Sequence, residues 1–184
     1  MSESSNRQYY LAARPAGEPT TEHVQCRDVP LAPLAPGEVR LRNLYISLDP
    51  AIRGWMDDGP NYIEPITLGD AVRSSVIGRV VASAHDGFAV GDVAMTMGAW
   101  EAYTTVAGET LNPLDEAAGI PLSYFLGVLG PTGLTAYFGL LEVGRPQAGE
   151  TVLVSAAAGA VGSVAGQIAK MQGCRVVGLA GSDD

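Results

Sequence analysis

The stretch Thr151–Gly162, TVLVSAAAGAVG, decides how this chain is read. A short apolar strand runs into a small-residue turn bearing Gly159 and Gly162. A helical segment, SVAGQIAKMQG (163–173), and a second apolar run, CRVVGLAG (174–181), follow. Strand, tight turn, helix, strand, in these lengths, is the unit that receives the pyrophosphate of a dinucleotide. A turn free of side chains lets backbone N–H groups approach phosphate oxygens, and the positive end of the helix dipole faces the anion. The spacing is Ala156-x-x-Gly159-x-x-Gly162. Gly159 lets the backbone near the phosphates, Ala160 and Val161 continue the bare main chain, and Gly162 lets the helix pack closely on the strand. The rival reading is a close-packed strand–helix turn with no ligand. The strand Val152–Val154 before the string and the helix Val161–Met171 after it favour the nucleotide.

The tip of the second strand bears on which nucleotide. NAD-preferring sites place an Asp or Glu there to accept hydrogen bonds from the adenosine ribose. About twenty residues beyond Gly159 the chain reads Gly178-Leu179-Ala180-Gly181-Ser182, with no carboxylate at the tip. Gly181 and Ser182 leave room for a phosphate and offer it donors, which favours NADP(H). Asp183 and Asp184 come next, and either of them reaching the ribose would favour NAD instead.

Composition bounds the rest. The chain has 184 residues, 47% hydrophobic and 17% charged, as expected of a folded protein with a real core. A net charge of −9 leaves no basic stripe to displace counterions, so nucleic acid is not expected as a partner. Cys26 and Cys174 lie far apart, outside any CxxC or Cys/His cluster, and read as free thiols of a reducing compartment. No run of eighteen apolar residues and no apolar signal core occur, so no membrane partner is expected and a cytoplasmic location follows by default.

The texture of the chain changes near Pro121. Before it, Gly37–Asp49 alternates with Val39, Leu41, Leu44 and Ile46 apolar, and further β-rich runs are Ser75–Ala84, Val93–Met97 and Glu101–Val106. Short strands at this spacing suggest a small barrel or curled sheet. The proline-rich PLAPLAPG before Gly37 reads as a connector or an edge. After it, Leu122–Val143 suits helix, interrupted at Gly130-Pro131, where Pro131 is placed to start a new helical turn. The expected organisation is a β-rich domain over 1–121 and an α/β part over 122–184. A sheet of this type needs more strands than one βαβ unit provides, so the second domain is expected to be incomplete.

With those residues in view, the chain resembles the zinc-free medium-chain dehydrogenase/reductases, in the group of the prostaglandin, curcumin and plant alkenal reductases. The segments that carry the resemblance are YISLDPAIRGWM (45–56), GRVVAS (78–83), GDVAM (91–95), LGVLGPTGLTAYFGLLEVG (126–144) and the run from Gly149 to Asp184. The resemblance implies a GroES-like catalytic domain followed by the first βαβ of a Rossmann-type NADP-binding domain. It implies reduction of the C=C bond of α,β-unsaturated ketones or aldehydes by hydride transfer without zinc, with a homodimer as the full-length form. A quinone reductase, or a cofactor-binding or oligomerising fragment without catalysis, are the rival readings. A chain of this length by itself is expected to turn over poorly.

The resemblance also assigns residues. Tyr62, in GPNYIEP, matches a tyrosine near the substrate; the bland alternative is a loop aromatic covering the barrel. Asp49 and Arg53 match family positions in the SLDP segment and read as a structural pair bracing the loop beside the nicotinamide; the alternative is direct catalysis. Thr135, in GLTAY, matches a position at the cofactor edge, and its alternative is a hydroxyl bonded back to its own helix. Where zinc-dependent relatives carry a ligand cysteine, this chain has Ser47-Leu48-Asp49-Pro50, and its two histidines, His23 and His85, stand apart in sequence. No metal ligand set is expected. Relatives usually carry Tyr or Phe and then Met after the Asp-Pro pair, where this chain has Ala51 and Ile52, and Pro131 stands where Met is common. These departures bear on substrate identity more than on reaction class.

Overall fold

The computed structural model describes residues 5–181. The chain divides into two compact units, Met1–Ala118 and Gly119–Asp184.

Among its described residues the first unit has seven strands and one short α-helix: β1 (Ser5–Leu11), β2 (Val24–Pro30), β3 (Glu38–Ile46), α1 (Ala51–Trp55), β4 (Arg73–Ser83), β5 (Val93–Ala99), β6 (Tyr103–Ala107) and β7 (Asn112–Leu114). Five of the strands form an antiparallel sheet in the order β6-β3-β4-β5-β7, and β1 pairs with β2 in a separate ribbon. Main-chain bonds stitch β1 to segments beyond the ends of β4, β5 and β6. Tyr9 N–H donates to the Trp100 carbonyl at 2.8 Å, Val72 N–H to Tyr9 at 2.8 Å and Ala102 N–H to Arg7 at 2.9 Å. These bonds curl the sheet toward the GroES-like shape. Glu101 fixes the seam from the side-chain level, accepting from Asn6 Nδ2 at 2.8 Å, Gln8 Nε2 at 2.7 Å and Thr104 Oγ1 at 3.0 Å.

The alternation in β3 explains the inner face only as far as its middle. Val39 and Leu41 are fully buried and pack with Val80, Ala94 and Leu111. Leu44 and Ile46 are exposed instead. The register jumps there, Asn43 facing Gly78 and Tyr45 facing Ile77, so Leu44 is an extra residue in a bulge. The inserted residue interrupts the ladder at this end of the strand, and Leu44, Tyr45 and Ile46 all stand exposed there. Opposite, a Cβ on Gly78 would lie 2.7 Å from the Leu41 Cβ, which is why this strand crossing needs glycine. A second apolar cluster joins Leu11, Ile52, Trp55, Met56, Ile66 and Val72, and it seats α1.

In the second unit a 3-10 segment, Leu122–Leu126, precedes α2 (Pro131–Phe138), and Pro131 occupies the first turn of that helix. There its missing N–H costs nothing, because that group has no intrahelical partner anyway. The helix does not run on as a regular α-helix to Val143. It widens into a π-helical turn, Gly139–Gly144, and stops at Arg145, whose φ of 50° is left-handed. Then come β8 (Thr151–Val154), α3 (Ala160–Met171) and β9 (Arg175–Gly178), with β8 and β9 parallel and Thr151 opposite Arg175. This is a βαβ unit, the opening of a Rossmann-type domain. Among the described residues, no helix is long and apolar enough to cross a membrane.

Candidate functional site

The turn between β8 and α3 is the part of the second unit built to meet an anion. Gly159 is the N-cap of α3, with extended backbone (φ −78°, ψ 171°), and the helix begins at Ala160. No side chain caps it. The N–H groups of Ala160, Val161 and Gly162 fall in the first helical turn, where no intrahelical acceptor exists. They are the groups that a pyrophosphate would satisfy, aided by the helix dipole. The turn itself is tightly folded. Ala156 takes a left-handed φ of 47°, and its carbonyl accepts the Gly159 N–H at 2.8 Å. A Cβ on Gly162 would sit 2.2 Å from that same carbonyl oxygen, so only glycine allows the helix this close. The donor set and the bare approach fit a dinucleotide pyrophosphate.

The turn is tied to the end of β9. Ala157 N–H donates to the Leu179 carbonyl and Leu179 N–H to the Val154 carbonyl, both at 2.9 Å. The strand tip, Gly178–Gly181, carries no carboxylate, and a Cβ on Gly181 would meet nothing within 4 Å. Ser182, Asp183 and Asp184 lie outside the described residues. Thr135 is exposed on α2, and its hydroxyl donates to the Pro131 carbonyl one turn back at 2.7 Å. Its proton is committed to its own helix, and only its oxygen lone pairs face outward.

In the first unit the candidate residues gather around α1. Asp49 accepts from the Ser47 hydroxyl at 2.5 Å, closing the entry to the helix. The expected Asp49–Arg53 pair does not form. Arg53 instead bonds Asp57 at 2.7 Å, one helical turn away, and donates to the carbonyls of Pro15 and Gly17, each at 2.7 Å. The i,i+4 spacing of Arg53 and Asp57 puts both on one side of the turn, and two carbonyls of the 15–17 segment complete the guanidinium's donors. Arg53 thus braces the loop by tethering the N-terminal segment. A recess of about 340 Å³ lies here, walled by Leu48, Asp49, Ile52, Met56 and Trp100. Of the two departures after Asp-Pro, Ala51 is exposed, whereas Ile52 is buried in the cluster that seats α1.

Tyr62 is 79% exposed, yet it is held at three points. The Trp55 indole N–H donates to the phenol oxygen at 3.1 Å. The two rings meet edge to face, with centroids 6.4 Å apart. Its amide N–H donates to Asn61 Oδ1 at 2.7 Å, while Asn61 Nδ2 donates to the Gly54 carbonyl at 3.2 Å. Neither Trp55 nor Asn61 is singled out by sequence reasoning. A separation of seven residues across a turn leaves no periodic signal, although the Arg53–Asp57 spacing is one that could have been found.

The histidines are occupied locally. His23 Nδ1 accepts the Thr20 N–H at 3.0 Å, and His85 Nδ1 accepts the Gly87 N–H at 3.0 Å. The His85 ring lies tilted against Phe88 and occupies the space a Cβ on Gly108 would need. Both cysteines are free, Cys26 exposed and Cys174 buried.

With this geometry established, similarity to known proteins adds the lineage. Residues 7–114 match the family model described as the N-terminal domain of oxidoreductase. The NADPH-dependent curcumin reductase of Escherichia coli is 43% identical over 176 residues, which are 96% of this chain and 51% of that protein. Prostaglandin reductase 1 of Bos taurus is 42% identical over 170 residues, 91% of this chain and 50% of its own. The crystal structure of CurA from Vibrio vulnificus in complex with NADPH superimposes with a TM-score of 0.88 at 42% identity, covering 96% of this chain and 52% of that one. The chain spans about half the length of the curated relatives it matches. It belongs to the medium-chain dehydrogenase/reductase superfamily, in the branch that holds the curcumin and prostaglandin reductases.

Proposed function

We propose that this chain forms the N-terminal part of an NADPH-dependent reductase of the C=C bond of α,β-unsaturated ketones and aldehydes, working without zinc. The observation that carries the reading is the uncapped turn at 159–162, with three main-chain donors and no side chain in the way. Gly181 adds room for the 2′-phosphate that distinguishes NADPH from NADH. The named relatives are NADPH-dependent curcumin and prostaglandin reductases, which supports the substrate class.

When bound, NADPH supplies the hydride that the β-carbon of the enone accepts. The remaining chemistry falls to side chains. Electron density passes to the carbonyl oxygen of the substrate, and an O–H donor beside that oxygen lowers the energy of the resulting enolate. Tyr62 is the donor, since its oxygen already accepts from Trp55 and its own proton is left to give. The α-carbon then takes a proton from solvent, which balances the addition of one hydride and one proton across the double bond. Asp49 holds the Ser47–Pro50 segment in shape at the cofactor side, Thr135 offers its lone pairs at the cofactor edge, and the recess beside Asp49 and Trp100 receives the apolar body of the substrate. The working form is a homodimer in the reducing cytoplasm, where Cys26 and Cys174 stay free.

The test uses the product of the complete reading frame with NADPH and a simple enone, and the organic product is identified. A saturated ketone formed at the expense of NADPH, with NADH much poorer, is the expected result. Loss of NADPH only when a quinone replaces the enone, or no loss with either, overturns the reading.

A further inference from the structure

We infer that Trp55 is a positioning residue for Tyr62, fixing the direction in which the phenol offers its proton. The inference rests on the reading of Tyr62 as the donor to the substrate oxygen. It begins with an imbalance of burial. Tyr62 is 79% exposed, whereas Trp55 is 8% exposed and belongs to the apolar cluster of Leu11, Ile52, Met56, Ile66 and Val72. An exposed tyrosine on a loop ordinarily swings between rotamers in water. Here a side chain anchored in the core reaches it through a hydrogen bond of 3.1 Å and an edge-on ring contact at 78°.

The direction of that bond matters. An indole nitrogen can only donate, so the phenol oxygen must accept, and the phenol proton is directed away from Trp55. A hydroxyl whose oxygen is already engaged costs less to orient when a substrate oxygen arrives. The surrounding backbone holds the pair in place. The Trp55 carbonyl accepts the Ile66 N–H at 2.7 Å, and Asn61 links the Gly54 carbonyl to the Tyr62 amide. The loop between α1 and residue 66 is therefore folded back on the helix at both its ends and its middle. Losing the indole N–H while keeping an aromatic ring should leave the fold and free the phenol.

The test pairs spectroscopy with kinetics on the product of the complete reading frame. The indole ¹H–¹⁵N signal that disappears in W55F is that of Trp55. In Y62F that signal should move upfield while backbone amides of Leu11 and Val72 stay put. W55F should lower kcat about tenfold with KM changed less than about twofold, and it should have no further effect in the Y62F background. An indole signal indifferent to Y62F overturns the contact. A W55F loss that persists undiminished in Y62F makes Trp55 merely structural and overturns the positioning role. A shifted indole signal with full kcat in Y62F overturns the role together with the reading of Tyr62 as donor, while leaving the contact itself standing. Y62F removes only an exposed hydroxyl, so the shift is read in a variant with the fold intact, and W55F serves the spectroscopic arm for assignment alone.

Discussion

The carbonyl oxygen of Ala156 faces the α-carbon of Gly162 so closely that a Cβ at 162 would lie 2.2 Å from it. The obstacle is backbone, held by its bond to the Gly159 N–H, and cannot rotate aside as a side chain would. Gly162→Ala should therefore push α3 away from the turn and cost about 2–3 kcal/mol, as overpacking of a rigid contact does. Urea denaturation should show the loss, and NADPH titration should show weakened binding, because the same turn carries the phosphate donors. Unchanged stability and affinity would mean that the helix approaches less closely than described.

Ala156 itself is strained. Its φ of 47° is a region in which an L-residue loses about 1–2 kcal/mol relative to its preferred conformations. Ala156→Gly removes that penalty but adds freedom to the unfolded chain, about 0.5–1 kcal/mol. The net gain should be small, from about zero to about 1.5 kcal/mol. Ala156→Val, branched at Cβ, should be less stable than the parent by more than that. The order Gly, Ala, Val in denaturation midpoint is the check.

What could be read from the residues depends on how local the cause is. The βαβ unit was legible because its strand periodicity, glycine spacing and helix start all lie within thirty residues and agree with one another. The interior of β3 was legible to Leu41 and then failed at Leu44: the apolar positions step from odd to even there, as the bulge requires, but whether a packing layer covers that end depends on elements far along the chain. Strands β1 and β2 went unmarked for a related reason. Their residues are largely exposed, and what holds β1 is main-chain bonding to Trp100, Val72 and Ala102, far along the chain. The pairing of Arg53 followed the same rule. The family resemblance paired it with Asp49, four residues back, while the fold supplied Asp57 four residues on and two carbonyls from the 15–17 segment.

Acid should loosen the first unit through Glu116. The bidentate hydrogen bonds from Arg79, at 2.9 Å each, hold the Glu116 carboxyl below its ordinary value, opposed by desolvation and aided to a lesser degree by the charge of that guanidinium. Because the folded group titrates lower than the unfolded one, its stabilisation is complete above the ordinary carboxylate range and is lost as pH falls through the folded value. Asp28, beside Arg7, shifts in the same direction for the same reason. Both pairs are solvent-exposed, so each effect is small. Glu116→Gln should lower the Tm at neutral pH by a few degrees at most, about what a surface pair supplies, and make no difference near pH 2. A variant equally destabilised at both pH values would show that the pair's charge is not the cause.

Cofactor preference should be reversible at one position. NADPH and NADH differ only by a phosphate on the adenosine ribose, and among the described residues the tip of β9 carries no carboxylate. Gly181→Asp places a negative charge there. A Cβ at 181 meets nothing within 4 Å, so the substitution should fold without strain. The new carboxylate would repel the 2′-phosphate and accept hydrogen bonds from the free ribose hydroxyls of NADH. Two opposed electrostatic effects of about 1.4 kcal/mol each, one tenfold step apiece, would shift the ratio of NADPH to NADH affinity about a hundredfold toward NADH. Nicotinamide fluorescence titrations with both coenzymes measure that ratio directly. If Gly181→Asp leaves it unchanged while the protein still binds NADPH, the 2′-phosphate does not lie beside this strand tip, and the basis of the preference must be sought at another residue.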